Sequence, residues 1–406
     1  MSTLGAKLEQ ILKEAVNGGT IPASFVAVVD KEGTIVSQQV GNRLVDDATS
    51  GVVDEDTIFW LCSQTKLVTS IAALQMVDAG KITLDTPVEE VLPELKNPLV
   101  VTAHDESGRI KSTVPAKGKI TFGQLLRHTS GLEYALDGKL APSGPWLGLP
   151  PAYTHNYKGQ GVEKYFDLVK GDLPGVPLRF EPGTNWAYGY GTDCAGFIVE
   201  RLSGKSLEQY FQDHIFAPLG IFSASFKLSQ DKKDKLLHLS LRETNGTLKS
   251  LDIPPFHDED SEVYLGGVGL YSSQKDYMRL LQHLLQIKLG TATNPILSRS
   301  SIEALFTPTL NSSGADVAHA TSAFYMPNVG IPAKAAQFSH GLLLNTADIP
   351  GKRKAGSGAW TGWANTFYFV DPSKGIAMVF GTQLTPPADD LVTKVFSQLE
   401  KEVYVA

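Results

Sequence analysis

The spacing of apolar residues predicts an amphipathic helix at each end of the chain. Residues 4–16 carry their apolar side chains three and four positions apart, and residues 391–403 repeat that spacing. This is the period of a helix with one apolar face. A third helix with the same spacing is predicted after residue 63, and Gly80 is expected to end it.

Apolar runs beside the two terminal helices predict β-hairpins. The first run, residues 25–29, is followed by a Lys-Glu-Gly turn and a return strand that begins at residue 34. The second hairpin joins residues 365–370 and 376–380 through a turn that contains Pro372. Strands near both ends of the chain, around a mostly helical and loop-rich middle, suggest an α/β (α+β) fold with one sheet built from both termini.

Composition and charge narrow the class of protein. The chain has 406 residues, 42% of them apolar and 19% charged, which is typical of a globular protein with a large core. Its net charge of −7 disfavours binding to nucleic acids or to anionic membranes, because both need a basic surface. The first residues lack the pattern of a secretory signal, and Cys62 and Cys194 are too few for a disulfide framework. We therefore expect a cytoplasmic protein without nucleic-acid or membrane partners.

Candidate chemistry begins with Ser63 and Lys66, which stand three positions apart where the third helix begins. Residues at this spacing share one helix face, so the lysine amine can reach the serine hydroxyl. A serine is a weak nucleophile until a neighbouring base takes its proton, and a desolvated lysine can be that base. Free N–H groups at a helix start also favour developing negative charge. The alternative is a structural pair, with Ser63 capping the helix and Lys66 on the surface.

Two further segments could complete such a site. Tyr188 stands on a loop before a predicted helix, where its hydroxyl could relay protons if neighbouring cations lower its pKa. Gly362 stands at a strand edge that a ligand could approach closely, and the N–H of Trp363 could form an oxyanion hole with the N–H of Ser63. Each segment also has a plainer interpretation, namely aromatic core packing around Tyr188 and relief of crowding at Gly362.

Taken together, these motifs resemble the class C β-lactamase superfamily. A Ser-x-x-Lys pair at Ser63, a motif led by Tyr188 and a Trp-Thr-Gly string ending at Gly362 follow in the order and spacing of that superfamily. Within it, the chain is most similar to fungal lovastatin-type transesterases, which are acyltransferases, and to family VIII esterases. Supporting strings lie at residues 118–121, 125–132 and 265–270.

The resemblance implies a class C β-lactamase-like fold, in which an antiparallel sheet flanked by the terminal helices stands beside an all-helical lobe. Residues 1–86 together with residues 307–406 would form the α/β sheet domain. Residues 87–306 would form the mainly helical lobe. The active site would lie between the two.

Three positions depart from the pattern of the family. Tyr190 stands where secreted lactamases carry asparagine, and Trp360 stands where they carry the lysine that holds the carboxylate of the drug. Trp60 replaces an arginine of the lovastatin-type enzymes, which removes a bidentate partner for a carboxylate. We therefore expect a pocket for a neutral ester or thioester. The predicted substrate-binding residues are Trp60, Tyr134, Tyr190, Phe256, Trp360 and Gly362.

The function implied by these residues and by the resemblance is acyl transfer through an acyl-Ser63 intermediate. Lys66 and Tyr188 would activate the serine, and the N–H groups of Ser63 and Trp363 would bind the oxyanion. The acyl group would pass from an ester or thioester to a hydroxyl of a natural-product scaffold. A carboxylesterase that hydrolyses such an ester is the first alternative, and a non-catalytic binding protein is the second.

No cofactor or metal is expected, because the histidines show no metal-ligand spacing such as His-Glu-x-x-His. The expected partners are a small-molecule donor and a hydroxyl acceptor. The basic run at residues 352–354 fits a solvated loop, with a docking patch for an acidic acyl carrier protein as the alternative. Cys62 is expected to be inert packing and His128 to hold its loop.

Overall fold

The computed structural model describes residues 3–141, 146–251, 253 and 260–405. Among the helices described, none is long and apolar enough to cross a membrane. The α-helices lie at Thr3–Asn17, Thr65–Asp78, Phe122–Leu126, Pro151–Thr154, Val162–Lys170, Gly191–Ser203, Leu207–Phe211, Ala217–Leu219, Gln230–Lys233, Gln274–Leu289, Arg299–Phe306, Ser312–Tyr325 and Asp390–Val405. Short 3-10 helices lie at Cys62–Gln64, Val88–Glu90 and Pro93–Leu95, and a π-helix lies at Gln212–Phe216.

Seven strands from both ends of the chain form one antiparallel sheet. Phe25 pairs with Gly381 and Asp30 pairs with Ile376, so the N-terminal hairpin extends the C-terminal strands. The predicted sheet built from both termini is therefore confirmed, as are the terminal helices. Across the sheet the strands follow the order Ala336–Phe338, Leu343–Asn345, Ser357–Gly362, Thr366–Asp371, Ile376–Gly381, Ser24–Asp30 and Thr34–Val40.

Helices cover both faces of this sheet. Successive side chains of a strand point to opposite faces, and the neighbours Phe367 and Tyr368 show what lies on each. Phe367 stacks on Phe396 of the C-terminal helix, with ring centroids 4.8 Å apart. Tyr368 packs against Tyr277 of helix Gln274–Leu289, with centroids 5.5 Å apart. Since both faces are covered, all residues of the strand that carries the two rings are buried.

The middle of the chain is mostly helical, but it also contains a hairpin of strands Leu99–His104 and Ile110–Pro115. Apolar alternation did not indicate these strands, because most of their residues are exposed or half-buried.

Helix Gln274–Leu289 lies in the middle of the sequence and nevertheless packs on the central sheet. The division of the chain at residues 86 and 307 remains a prediction. The remaining strands lie at Asn42–Leu44, Asp47–Val52, Ile58–Trp60, Pro177–Leu178, Ser240–Arg242, Leu248–Ser250, Tyr271–Ser273 and Leu384–Thr385.

The basic run at residues 352–354 is not a solvated patch. Lys352 is buried, and its amine donates hydrogen bonds to the carbonyls of Asn328 and Val329 at 2.7 Å each. The Arg353 guanidinium is also buried and pairs with Glu400 through contacts of 2.8 and 3.1 Å. The expectation of a solvated loop is therefore wrong for Lys352 and Arg353. Their burial also removes the support that this run gave to docking of an acyl carrier protein.

The buried pair of Arg353 and Glu400 makes a prediction about stability. Glu400→Leu should lower the free energy of unfolding by about 3–5 kcal/mol, because the guanidinium is left buried without a counter-charge. The double variant Arg353→Met/Glu400→Leu should regain most of this loss. Urea denaturation measures both. Asp348→Ala, which breaks the exposed contact of Asp348 with Lys354, is the control and should change stability by less than about 0.5 kcal/mol. An equal loss in the single and double variants would contradict the electrostatic explanation.

Candidate active site

Ser63 lies where a strand turns into a helix. Strand Ile58–Trp60 leads into the 3-10 helix Cys62–Gln64, which continues as helix Thr65–Asp78. Cys62 adopts a φ of 50°, a left-handed conformation that is uncommon for a residue with a side chain. The resulting turn leaves Ser63 half-buried at the edge of a cavity and near the start of the helix, where backbone N–H groups lack helical acceptors.

The amine of Lys66 contacts the hydroxyl of Ser63 inside the protein. The distance from Lys66 Nζ to Ser63 Oγ is 3.3 Å, and Nζ also donates to the carbonyl of Gly267 at 2.6 Å. The Lys66 residue is only 4% exposed. Burial lowers the pKa of Lys66 to about 8, while the carboxylate of Asp193 acts in the opposite direction. A substantial fraction of the amine is therefore neutral in mildly alkaline solution and able to accept a proton.

Tyr188 lies on the other side of this pair. Its hydroxyl oxygen accepts a hydrogen bond of 3.0 Å from the indole N–H of Trp360, and its ring centroid is 4.8 Å from Lys66 Nζ. Burial raises the pKa of Tyr188, and hydrogen bonds with Ser63 and Trp360 act in the opposite direction. A pKa lowered by neighbouring cations was the condition set for the proton relay, and it is not met, because the loss of water around the phenol is the larger effect. The phenol is thus neutral near pH 7.

Gly362 brings the end of its strand against the residues that precede Ser63. A Cβ at Gly362 would lie 2.8 Å from the Leu61 carbonyl oxygen and 3.3 Å from Cys62 Cβ. The absence of a side chain therefore relieves crowding between these two segments, as the plainer interpretation has it. The close approach of a ligand at this glycine remains a prediction. Trp363 follows directly, and both it and Ser63 line the same cavity. An oxyanion hole formed by their N–H groups remains a prediction that this placement allows.

The cavity beside Ser63 has about 490 Å³ of empty space, part of it open to solvent. Of the predicted substrate-binding residues, Tyr134, Trp360 and Gly362 line it. No described lining residue carries an ionisable carboxylate, ammonium, guanidinium or imidazole group. The cavity is lined by Ser63, Tyr134, Gly148, Leu149, Pro150, Tyr153, Tyr188, Val268, Tyr325, Trp360, Thr361, Gly362 and Trp363.

Two predicted substrate-binding residues, Trp60 and Tyr190, do not line this cavity. Trp60 is buried, its indole N–H donates to the Val268 carbonyl at 2.7 Å, and it lines a neighbouring pocket of about 360 Å³. Tyr190 is a buried core residue whose ring packs on Tyr134, with centroids 4.8 Å apart. Both departures arise because residue type did not reveal which way these side chains point. Phe256 lies outside the described residues.

Two residues of the site, Asp193 and Tyr153, were not predicted from the sequence. Asp193 is completely buried in the first turn of helix Gly191–Ser203 and accepts a hydrogen bond of 2.6 Å from the Tyr153 hydroxyl. The signal that could have found Asp193 is a carboxylate five residues after Tyr188, on a helix that is otherwise apolar on its buried side. Tyr153 gave no comparable signal, because helix Pro151–Thr154 is too short to show regular apolar spacing.

His128 and Cys62 behave as expected from the sequence. His128 is buried among aromatic rings, 5.0 Å from the Tyr188 ring between centroids, and burial lowers its pKa to about 3. It is therefore neutral at physiological pH. Cys62 is completely buried, and burial raises the pKa of its thiol, which keeps it protonated and inert.

The fold and the paired Ser63 and Lys66 define a protein of the serine β-lactamase type. A model of the family described as Beta-lactamase matches residues 8–400, so the chain belongs to that family. Monacolin J acid methylbutanoyltransferase of Aspergillus terreus is 30% identical, over 98% of this chain and 95% of that protein. Lovastatin esterase of Penicillium rubens is 28% identical, over 98% of each chain.

Solved structures agree with this assignment. Simvastatin synthase of Aspergillus terreus superposes with a TM-score of 0.82 at 28% identity, covering 100% of this chain and 99% of that one. EstCE1, a hydrolase with promiscuous acyltransferase activity, has a TM-score of 0.76 at 20% identity over 99% and 98% of the two chains, and supports the fold alone. The predicted resemblance and fold class are confirmed, and the chain is an enzyme of the acyl-transfer branch of this family.

The environment of Lys66 predicts its titration. We expect the Cε resonance of Lys66 in lysine-labelled protein to titrate with a pKa of about 8, because burial disfavours the ammonium form. NMR spectra between about pH 6 and pH 11 measure it, since the unperturbed lysine value of about 10.4 lies inside that range. Lys66→Arg identifies the resonance by its loss. A Lys66 midpoint above 10 would contradict the burial of the amine, because a pKa in that range is that of a lysine in water.

Proposed function

We propose that Ser63 is the nucleophile of a serine acyltransferase, with Lys66 as its general base and Tyr188 as the partner that relays protons. The observation that carries this proposal is the 3.3 Å contact between Lys66 Nζ and Ser63 Oγ within a buried site. A contact of this length is within reach of proton transfer, and the lowered pKa of Lys66 supplies a neutral amine.

The first half of the reaction forms the acyl-enzyme. Neutral Lys66 takes the proton of Ser63, and Oγ attacks the carbonyl carbon of the donor. The N–H groups of Ser63 and Trp363 then stabilise the negative oxygen. When the bond to the leaving group breaks, the alcohol or thiol leaves with a proton that Tyr188 donates and Lys66 replaces. A neutral phenol suits this acid role better than a tyrosinate would.

The second half reverses these steps with a new nucleophile. A hydroxyl of the acceptor gives its proton to the Lys66 and Tyr188 pair and attacks the acyl carbon. Ser63 leaves with the proton and is regenerated. The named activity of the Aspergillus relative, a methylbutanoyltransferase, supports a small acyl group and a natural-product hydroxyl as the two substrates.

We propose that both substrates are neutral where they touch the cavity. Its described lining offers aromatic rings and backbone groups, and no charged side chain that could hold a carboxylate. Trp360, at the position where lactamases carry lysine, donates its N–H to Tyr188 and so offers no cation to an anionic substrate. Burying an unpaired carboxylate in such surroundings would be costly.

Hydrolysis is the second candidate function, and the 28% identity with lovastatin esterase favours it. Both reactions share every step up to acyl-Ser63, so the catalytic residues do not distinguish them. We rank transfer first because a well-held acceptor can reach effective molarities of about 10⁵–10⁸ M, against about 55 M for water. A non-catalytic binding role is disfavoured, because Ser63, Lys66 and Tyr188 meet in one site.

The proposed partners are a small-molecule donor and a small-molecule acceptor. The basic run that suggested an acyl carrier protein is largely buried, so no described feature supports that partner. We propose a cytoplasmic location, because both cysteines are buried and unpaired.

The assigned roles predict the effect of three substitutions. Ser63→Ala should abolish covalent labelling by a fluorophosphonate probe, and Lys66→Ala and Tyr188→Phe should each slow it by at least about a hundredfold, the usual scale for loss of an acid or base. Labelling rates at pH 8 measure all three. Tyr325→Phe is the matched control, because Tyr325 lines the same cavity and is proposed no part in proton transfer. Wild-type rates in Lys66→Ala would disprove the role given to the lysine.

The uncharged lining predicts acceptor preference. A hydroxy acid and its methyl ester differ in one charge, so they form a matched pair of acceptors. We expect the ester to react with a kcat/KM at least about tenfold higher, since the described lining offers a carboxylate no cation to replace its water. Rates of product formation with a common thioester donor measure this. Tighter binding of the acid in calorimetry would contradict a neutral acceptor site.

A further inference from the structure

A buried carboxylate that the proposed mechanism does not use lies behind Lys66. Asp193 is 0% exposed, and each of its oxygens accepts a hydrogen bond. Oδ1 accepts from the backbone N–H of Gly267 at 2.7 Å, and Oδ2 accepts from the Tyr153 hydroxyl at 2.6 Å. Burying a carboxylate is expensive unless such partners are present, so this one is held in a single position.

A single residue joins Asp193 to the general base. Gly267 gives its N–H to Asp193, and its carbonyl accepts the hydrogen bond of 2.6 Å from Lys66 Nζ. A neutral amine has two N–H bonds and one lone pair. When one N–H is fixed on the Gly267 carbonyl, the amine retains fewer orientations, and its lone pair can be directed at Ser63 Oγ, which is 3.3 Å from Nζ.

The glycine itself is required by this arrangement. A Cβ at Gly267 would lie 2.6 Å from the Tyr153 hydroxyl and 2.7 Å from Asp193 Oδ2, so any side chain would displace the carboxylate or the phenol. At Gly266 a Cβ would lie 3.0 Å from the Thr69 side chain. Gly266 and Gly267 are therefore required because this segment closely approaches Asp193 and helix Thr65–Asp78.

We propose that Asp193 is a positioning residue for Lys66, which acts through the Gly267 peptide to orient the amine toward Ser63 and to balance its charge. This inference rests on the proposed function of Lys66 as the general base. It assigns to Asp193 no contact with the substrate, since Asp193 does not line the cavity. Its influence passes through one backbone unit and through the electric field of its charge.

Asp193 also opposes the effect of burial on Lys66. Burial raises the pKa of Asp193, while the charge of Lys66 and the hydrogen bonds from Tyr153 and Gly267 act in the opposite direction and favour the carboxylate. Among the described groups that face the amine, this carboxylate is the one whose charge favours the ammonium form. Burial raises the pKa of the Cys62 thiol and of three phenols, those of Tyr134, Tyr153 and Tyr188. It lowers the pKa of the His128 imidazole to about 3. All five groups are therefore neutral near pH 7. Loss of the Asp193 charge should therefore lower the pKa of Lys66, and the neutral base should persist to lower pH.

The test replaces the charge and keeps the shape. In Asp193→Asn the amide oxygen can still accept from Gly267, while the charge is gone. We expect the midpoint of the pH dependence of Ser63 acylation by p-nitrophenyl butyrate to fall by about one pH unit or more. NMR titration of Lys66 in the same protein should show the same shift. Tyr157→Phe is the control, because this buried hydroxyl donates to the Ala152 carbonyl, and its midpoint should equal that of the wild type.

The outcomes separate this inference from the proposed function. If wild type is acylated on Ser63 and Asp193→Asn leaves both midpoints unchanged, Asp193 has only a structural role. If wild type is never acylated, the proposed function fails, and the NMR titration alone decides whether Asp193 acts on Lys66. Should Asp193→Asn not fold, Asp193→Ser, which also removes the charge and keeps a hydroxyl oxygen that can accept from Gly267, should lower the Lys66 midpoint in the same direction. An unchanged midpoint there would overturn the inference.

Discussion

The structure depends on one costly arrangement, the burial of the Lys66 amine beside the hydroxyl of Ser63. Removing an ammonium group from water is unfavourable, and this cost is what lowers its pKa to about 8 and makes it a base. The protein offsets part of the cost with the Gly267 carbonyl and the field of Asp193.

The sheet built from both termini gives the site its rigid wall. Strand Ser357–Gly362 is central in the sheet, and its last residue packs against the turn that precedes Ser63. The same strand carries Trp360, which fixes the Tyr188 hydroxyl with its indole N–H. Nucleophile and base therefore come from one continuous helical segment and the phenol comes from a second segment. Strand Ser357–Gly362 contacts both. Sites placed on such elements are more precise than sites on loops alone.

Sequence predicted the features that local spacing determines. Ser63 and Lys66 could be paired because three positions along a helix place side chains on one face, and the terminal hairpins followed from apolar runs around turns. The direction of a side chain, and contacts between residues far apart in the sequence, could not be predicted from local spacing. Trp60 faces a neighbouring pocket, Tyr190 packs in the core, and Arg353 is buried on Glu400. Asp193 meets Lys66 only through Gly267, a contact between distant parts of the chain that no local pattern encodes.

The central claim is that an acyl group rests on Ser63 and leaves with an alcohol. The most direct measurement incubates the protein with a short-chain acyl thioester, digests it and determines the mass of the peptide that contains Ser63, before and after a chase with a neutral hydrophobic alcohol. We expect this peptide to gain the mass of the acyl group, and the alcohol to remove that group faster than buffer does and to appear as the ester. An unmodified Ser63 peptide during turnover would contradict the account, and decay to free acid at a rate no alcohol changes would make the enzyme a hydrolase.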